Sequence, residues 1–351
     1  MKKPEKIAFE IKKIIESGIY KQDSRLPSER NLAGKFKTTQ VTVNKAISLL
    51  QAEGAVEKRH GSGNYILRKS RFKTVSYLVE EEGGSPNSIW YSGYQTFQMN
   101  ATAKGISVRL NIIPANCSRV TRNHFDAADL LVVALSLSPE RVESILSHGI
   151  PVIWLEEYPN PLNGSTVCFN NFEAGRLAAE HMISNGCRKF LYVTFDMAHS
   201  ASGYGNYVSD RRFEGFRKGI SEFGEKKCSV QYYSCISDFK NFVEELKPFF
   251  VNKDMIDGVL SFSDMTAFYI MRAAALCGRN IPGDLAIMGI DGLRWCEFQN
   301  PPLTSIRQPV DKIGLKAFEV AEKLLFSNEA PSSAVKIKPE LLARESTTKD
   351  Y

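Results

Sequence analysis

Hydrophobic positions follow two different rhythms along this chain, and the change comes near residue 70. Before it, apolar residues recur every third or fourth position in short runs. Ile7, Ile11, Ile14 and Ile15 share one face of a helix running from Glu5 to Ser17, which Gly18 ends. After the turn DSRLPSER, Ser28 stands where an N-cap belongs, ahead of a second helix carrying Leu32, Ala33 and Phe36. Thr38 or Thr39 can cap a third helix, TQVTVNKAISLLQAEG, with Val43, Ala46, Ile47 and Leu50 inward and Gly54 at its stop. Val56 then opens a short strand, KRHGSG makes a tight tip, and NYIL returns. Three helices and a hairpin in this order are the layout of a winged helix-turn-helix, whose third helix enters the major groove of DNA.

Beyond this point β-rich runs alternate with amphipathic helical ones. TVSYLV, VRLNII, LLVVAL, PVIWL, TVCF, KFLYVTF, VQYY, GVLSF and LAIMGI read as strands. Between them lie helical stretches such as SPERVESILSHG, NFEAGRLAAEHMISNG, SDRRFEGFRKGISEFG and DMTAFYIMRAAALCG. Such regular alternation implies parallel sheets with right-handed crossovers. This many strands suit two doubly wound lobes better than one very wide sheet. The fold class expected is therefore α/β, with an N-terminal winged helix-turn-helix ahead of a two-lobed domain.

Charge sharpens the division. Residues 1–70 hold 15 Lys and Arg against 7 Asp and Glu, a net of +8, whereas the whole chain is +6, which leaves −2 for the remainder. A basic head on a near-neutral body points to a polyanionic partner for the head alone. With 43% hydrophobic and 24% charged residues the composition is that of a globular protein. No apolar run approaches the ~20 residues that span a bilayer, so no membrane partner is expected. The N-terminal MKKPEKIAFEIKKII interrupts its apolar residues with charges, unlike a signal peptide, and a cytoplasmic location is expected. Seven cysteines, odd in number and without a CxxC, argue against a disulfide framework or a zinc site. Gly61 and Gly63 beside Lys58, Arg59 and His60 could cradle a phosphate. A dinucleotide loop would follow a buried strand and open a helix. This one lies between two short strands, as the tip of a wing does.

RLPSERNLAGKFKTTQVTVNKAISLLQAEGAVEKRHGSGNYI resembles the DNA-binding head of the GntR family: LPSER, the start of the third helix, the LxxEG turn and the wing HGSGNYI fall in order over residues 5–67. The resemblance implies that Arg30 holds a phosphate or base. It implies that Thr39, Gln40, Thr42 and Asn44 face DNA, and that His60 and Gly61 approach the minor groove. Gln40 and Asn44 stand where the family commonly has arginines. Arginine favours guanine, whereas glutamine and asparagine present a donor and an acceptor that suit adenine.

The remainder resembles the effector-binding region of LacI/GalR-type repressors. NNFEAGRLAAEHMISNGCRKFLYV, RRFEGFRKGI, DGVLSFSDMTAFYIMRAAALCGRNIPGDLAIMGIDG, NPPLTSIRQP and KPELLARESTT carry the likeness, in the family's order. It implies a periplasmic-binding-protein-like fold with a small molecule, expected to be a carbohydrate, in the cleft. A GntR-type head on such a body resembles arabinose-repressor-type regulators. The expected domains are 1–69 for DNA binding, a basic linker over 70–73, and effector binding over 74–351. Two such chains would form a homodimer on operator DNA.

Ligands of open α/β sheets bind beyond the carboxyl ends of strands. Arg212 and Asp291 match family ligand positions, and Ser263 matches a polar contact, with Asp264 expected to cap the next helix. Glu156 follows PVIWL, and Gln308 lies where the chain recrosses between lobes. Trp90 and Tyr91 could form an aromatic platform, with Trp295 and Phe298 closing the other side. The loop Ala198–Tyr207, with His199, reads as a lip. No nucleophile elbow, Walker loop, HExxH helix or metal-spaced carboxylate cluster occurs, so neither catalysis nor a cofactor is expected. The alternative, a solute-binding or sugar-processing protein, leaves the basic head unexplained.

Overall fold

The computed structural model describes residues 3–16, 24–52, 55–59, 62–66, 73–81, 89–125, 128–160, 162–195, 207–224, 228–235, 239–326 and 334–348. The chain divides into two compact units, Met1–Phe72 and Lys73–Tyr351.

The first unit contains helices α1 (Lys3–Glu16), α2 (Glu29–Lys35) and α3 (Gln40–Ala52), then the antiparallel pair β1 (Val56–Arg59) and β2 (Gly63–Ile66). Ile7, Ile11, Leu32, Val43, Ile47 and Leu50 form its core, with Val56 and Ile66 of the hairpin packed in. Ser28 caps α2, its Oγ accepting from Asn31 N at 3.2 Å. Of the two threonines ahead of α3, Thr39 does the capping, its Oγ1 accepting from Thr42 N at 3.3 Å. Gly63 has φ +109°, and a Cβ there would lie 2.7 Å from Arg25 Nε. Its backbone conformation demands glycine, while the Arg25 side chain could move aside.

The second unit is two lobes. The first sheet has the order β13-β7-β6-β5-β3-β4, formed by β3 (Thr74–Glu80), β4 (Ser107–Ile113), β5 (Leu130–Ala134), β6 (Val152–Trp154), β7 (Ser165–Phe169) and β13 (Ala334–Ile337), all parallel. Helices α4 (Ile89–Ala103) and α5 (Pro139–Leu146) belong to this lobe. The second sheet has the order β14-β12-β11-β10-β8-β9, formed by β8 (Lys189–Phe195), β9 (Ser229–Cys235), β10 (Gly258–Ser261), β11 (Ala286–Asp291), β12 (Thr304–Arg307) and an antiparallel edge, β14 (Glu340–Leu342). Its helices are α6 (Asn171–Ser184), α7 (Tyr207–Phe223), α8 (Phe239–Val251) and α9 (Asp264–Leu276). Central strands such as β5 and β10 are buried along their whole length, which explains their continuous apolar runs.

The chain crosses between lobes three times. It leaves the first sheet after β7 to enter α6, returns after β12 into α10 (Val310–Phe326), which packs on α4, and passes from β13 to β14. The strands β12, β13 and β14 are additions to the nine expected. Two of the crossing segments are joined where Asn170 N donates to Ile337 O at 3.0 Å.

Helices α6 and α7 meet backbone to backbone. A Cβ on Gly175 would come within 1.8 Å of Arg212 O, and one on Gly215 within 1.8 Å of Phe172 O. This contact fixes α7, and the arginine on it, against the helix that begins at the first crossing.

Candidate functional site

Between the two lobes lies a cavity of about 390 Å³. It opens at the carboxyl ends of the strands: Ser136 follows β5, Glu156 follows β6, Thr194 is the last but one residue of β8, Phe262 and Ser263 follow β10, and Asp291 ends β11. Trp90 and Ile89 reach it from the start of α4, Ser209 and Arg212 from α7, and Gln308 from the second crossing. Six expected residues, Trp90, Glu156, Arg212, Ser263, Asp291 and Gln308, thus line one cavity.

Arg212 is 5% exposed. Its Nε donates to Asn171 Oδ1 at 2.9 Å and its Nη1 to the carbonyl of Phe262. Nη2 has no partner among the described residues and is left for a ligand. Asn171 is the first residue of α6, and its Nδ2 donates to Glu157 Oε2 at 3.1 Å. Glu157 Oε1 in turn accepts from Lys336 Nζ on β13 at 2.5 Å. One hydrogen-bonded chain therefore runs from Lys336 and Glu157 of the first lobe, through Asn171, to Arg212 of the second. The atoms that link these side chains satisfy one another, which offsets the cost of removing them from water.

Asp291 Oδ1 accepts from Gln308 Nε2 at 2.7 Å, and its carbonyl accepts from Gln308 N at 3.0 Å. Its φ is +138°, a region that side chains rarely adopt. Such strain persists where the surroundings over-determine it. Here Gly292 N donates to Ser305 Oγ at 3.0 Å and Leu293 N to Asp264 Oδ2 at 2.7 Å. Burial raises the Asp291 carboxyl above its ordinary range, with the Arg212 guanidinium pulling the other way. Glu156 has no protein partner among the described residues. Burial pushes its pKa from 4.5 up to about 7, Arg212 opposing and Glu80, Glu157 and Asp291 adding to the rise. A carboxyl group without a partner in a cavity, poised near neutrality, can accept from or donate to a ligand hydroxyl.

Some expected residues fall elsewhere. Tyr91 packs on Tyr94, ring centroids 5.9 Å apart, because adjacent residues on a helix point about 100° apart and, of Trp90 and Tyr91, Trp90 is the one that lines the cavity. Trp295 and Phe298 do not line the cavity; they pair at 6.3 Å on a short 3-10 turn and are 55% and 67% exposed. Ser263, not Asp264, caps α9, its Oγ accepting from Thr266 N at 3.2 Å. Asp264 is fully buried and also accepts from Ser305 Oγ at 2.6 Å. A Cβ at Gly289 would lie 2.2 Å from its Oδ1, so glycine there admits the carboxylate. His199 and the lip through Asn206 lie outside the described residues.

Reasoning from sequence passed over Asn171 and Glu157, whose partners are distant in the chain. It also passed over Arg141. That side chain is 2% exposed, and its Nη1 donates to Glu80 Oε1 at 2.5 Å, to Ser136 O at 2.7 Å, and its Nη2 to Ala115 O at 2.8 Å. It gathers the carboxyl ends of β3, β4 and β5 behind the cavity wall.

In the head, Arg30, Thr39, Gln40 and Asn44 are exposed and Thr42 is half-buried. Thr39 and Thr42 are hydrogen-bonded to one another through their hydroxyls at 2.9 Å. Val41, not among the expected residues, is 67% exposed beside Gln40, where a methyl-bearing side chain can meet thymine. Asn44 Nδ2 donates to both oxygens of Glu29 at 3.3 and 3.2 Å. His60 and Gly61 lie outside the described residues. Beside them, the Arg59 guanidinium lies 4.4 Å over the ring of Tyr65.

The chain thus joins a winged three-helix head to a two-lobed α/β domain with a polar cleft. Residues 3–66 match the gntR family of bacterial regulatory proteins, and residues 179–347 match the periplasmic binding protein-like domain. The chain accordingly carries a GntR-type head and a LacI-type, periplasmic-binding-protein-like body. It is similar to the ribose operon repressor of Halalkalibacterium halodurans, 29% identical over 199 residues that make 57% of each chain. It is similar also to the HTH-type transcriptional repressor PurR of Mannheimia succiniciproducens, 24% identical over 57% of this chain and 58% of that one. The match thus spans under two thirds of these relatives. Among solved structures, a periplasmic binding protein/LacI transcriptional regulator from Alkaliphilus metalliredigens complexed with D-xylulofuranose has the same fold. Its TM-score is 0.61 at 22% identity, over 79% of this chain and 100% of that one. Among the described residues no helix is long and apolar enough to cross a membrane.

Proposed function

We propose that this protein is a ligand-responsive DNA-binding transcriptional regulator, a repressor of carbohydrate-use genes whose operator binding is set by a sugar or sugar derivative in the cleft. The observation that carries the reading is the cavity wall itself: the Glu156 carboxylate without a partner, Arg212 with Nη2 free, and Asp291 fixed by Gln308. Planar donors and acceptors of this kind suit sugar hydroxyls, and Trp90 offers an apolar face for a ring. The basic head, over residues 1–69 and followed by a linker at 70–73, holds duplex DNA. The body over 74–351 senses the effector. Two chains act as a homodimer in the cytoplasm on a pseudo-palindromic operator. The relative named as a ribose operon repressor and the solved neighbour complexed with D-xylulofuranose support a small polar effector. The reading is of a binding protein and not of an enzyme, in line with relatives named as transcriptional repressors. A thermal-shift screen of the full chain against mono- and oligosaccharides tests it. A raised unfolding temperature with at least one sugar is expected, and that sugar must then alter affinity for operator DNA.

A further inference from the structure

Four charged side chains line the cleft cavity, Glu156, Glu157 and Asp291 against Arg212. Glu157 has its own counter-charge, since its Oε1 lies 2.5 Å from Lys336 Nζ. Arg211 Nε is also 3.9 Å from that oxygen, but its guanidinium is paired with Glu214. Behind the cavity Glu80 is matched by Arg141 at 2.5 Å. Glu156 and Asp291 make no ion pair among the described residues. They share the one guanidinium of Arg212, whose Nε and Nη1 are turned to Asn171 and the Phe262 carbonyl. Residues 82–88 and 196–206, which flank lining residues in the chain, add Glu82, Asp196 and His199 but no lysine or arginine. Three acids thus face Arg212 and Lys336, and one negative charge is in excess. A neutral sugar that closes the cleft must bury a carboxylate without a counter-charge or draw in a proton, and either costs free energy. The aromatic lining points the same way. Trp90, Tyr158, Tyr207 and Phe262 border the same cavity, and the faces of aromatic rings attract cations.

We infer that the effector of this cleft is an amino sugar and that Glu156 receives its ammonium group. An ammonium brings three donors and the missing positive charge to a carboxylate that no protein donor occupies. Asp291, held by Gln308, and Arg212 remain for the hydroxyls. Glu156 is then the specificity-determining residue, choosing an amine over a hydroxyl on the same carbon. An N-acetyl group keeps the nitrogen and loses the charge. The free carboxyl is set for the exchange. Burial raises it to about 7, with Arg212 opposing and Glu80, Glu157 and Asp291 adding to the rise. An ammonium beside it reverses that rise, so at neutral pH the amine displaces the proton that part of the population carries. The inference rests on the sugar-effector reading proposed above and names the class of sugar.

The test is titration calorimetry of the full-length protein with glucosamine, galactosamine and mannosamine, each beside its N-acetyl derivative and its parent hexose. At pH 7 the amines are still largely protonated. At least one hexosamine is expected to bind about tenfold or more tighter than both of its neutral counterparts. Glu156→Gln, which keeps the shape and removes the charge, should erase that margin. The ratio is the quantity to read, because partial unfolding would weaken all three sugars alike. The wild type gives a second readout should the variant fail to fold. Its affinity for the hexosamine should rise at least about tenfold from pH 5 to pH 7 as Glu156 gives up its proton, and that for the parent hexose should not. Parent hexoses that bind as tightly as their hexosamines would overturn the inference and leave the sugar reading standing. A flat hexosamine profile, or a margin that survives in Glu156→Gln, would overturn it too. Silence from every sugar, neutral and amino, would overturn the sugar reading itself and the inference with it.

Discussion

Arg212 Nε and Asn171 Oδ1 are 2.9 Å apart, which joins a cleft arginine on α7 to the residue that opens α6 at the first crossing between lobes. The guanidinium is oriented through two of its nitrogens and leaves the third for a ligand. Removing it should cost effector affinity, and some stability because Asn171 Oδ1 and the Phe262 carbonyl lose their donor, but not affinity for DNA. Arg212→Ala is expected to weaken binding at least about tenfold, in line with a lost charge-assisted bond of ~1.5–3 kcal/mol. Arg212→Lys should not restore it, because an ammonium cannot reproduce the planar fork. Titration calorimetry with the sugar found by screening measures both.

Asn171→Ala should lower stability and effector affinity together. It leaves Arg212 Nε and one Glu157 oxygen without a partner in buried surroundings, a loss of ~1–3 kcal/mol. Gly175→Ala should do the same by another route, since a methyl 1.8 Å from Arg212 O must push α7 outward. Overpacking of this kind costs ~1–3 kcal/mol or more. Urea unfolding of each variant gives the first quantity and calorimetry the second.

The division into head and body is legible in the sequence because each half has its own hydrophobic period and its own charge. The strands that are buried on both faces stand out as continuous apolar runs. By contrast β13 and β14 are four and three residues long and only half-buried, so no period can develop in them. Arg212 and Asp291 are legible through the likeness to LacI/GalR-type effector domains, and Asp291 also through its place at the end of a strand. Asn171 is not, because its role depends on partners at Glu157 and Arg212, 14 and 41 positions away. Trp295 and Phe298 misled for the reverse reason: aromatic type suggests a ligand stack, but their 3-10 turn presents both to solvent.

Glu156 should leave a mark on stability against pH. Its value is 4.5 when unfolded and about 7 when folded, so the folded protein binds the extra proton between these limits. The contribution is full below the unfolded value and drains away as pH rises through the folded one. Unfolding temperature should therefore fall from pH 5 to pH 8 more steeply in the wild type than in Glu156→Gln. Equal slopes would show that burial does not hold the proton there.

The cleft carries the carboxylates Glu156, Glu157 and Asp291 against Arg212. Glu157 is matched by Lys336, which leaves two acids facing one base. A phosphate ester brings negative charge and no additional donors. The phosphorylated form of whichever sugar binds is expected to bind at least about tenfold more weakly than the parent, ~1.4 kcal/mol. Thermal shifts with matched pairs of sugars and sugar phosphates would expose any reversal.

Coupling between cleft and DNA is the centre of the account. An effector changes DNA affinity only if it prefers the body conformation with the weaker or the stronger hold on operator. The direct measurement is fluorescence anisotropy of the full-length chain on its selected duplex, with and without a sugar that binds the cleft, for the wild type and Arg212→Ala. The two proteins should bind DNA alike without sugar, and sugar should shift the affinity of the wild type alone. A wild-type affinity that ignores a bound cleft ligand, or an Arg212→Ala protein that responds as the wild type does, would contradict it.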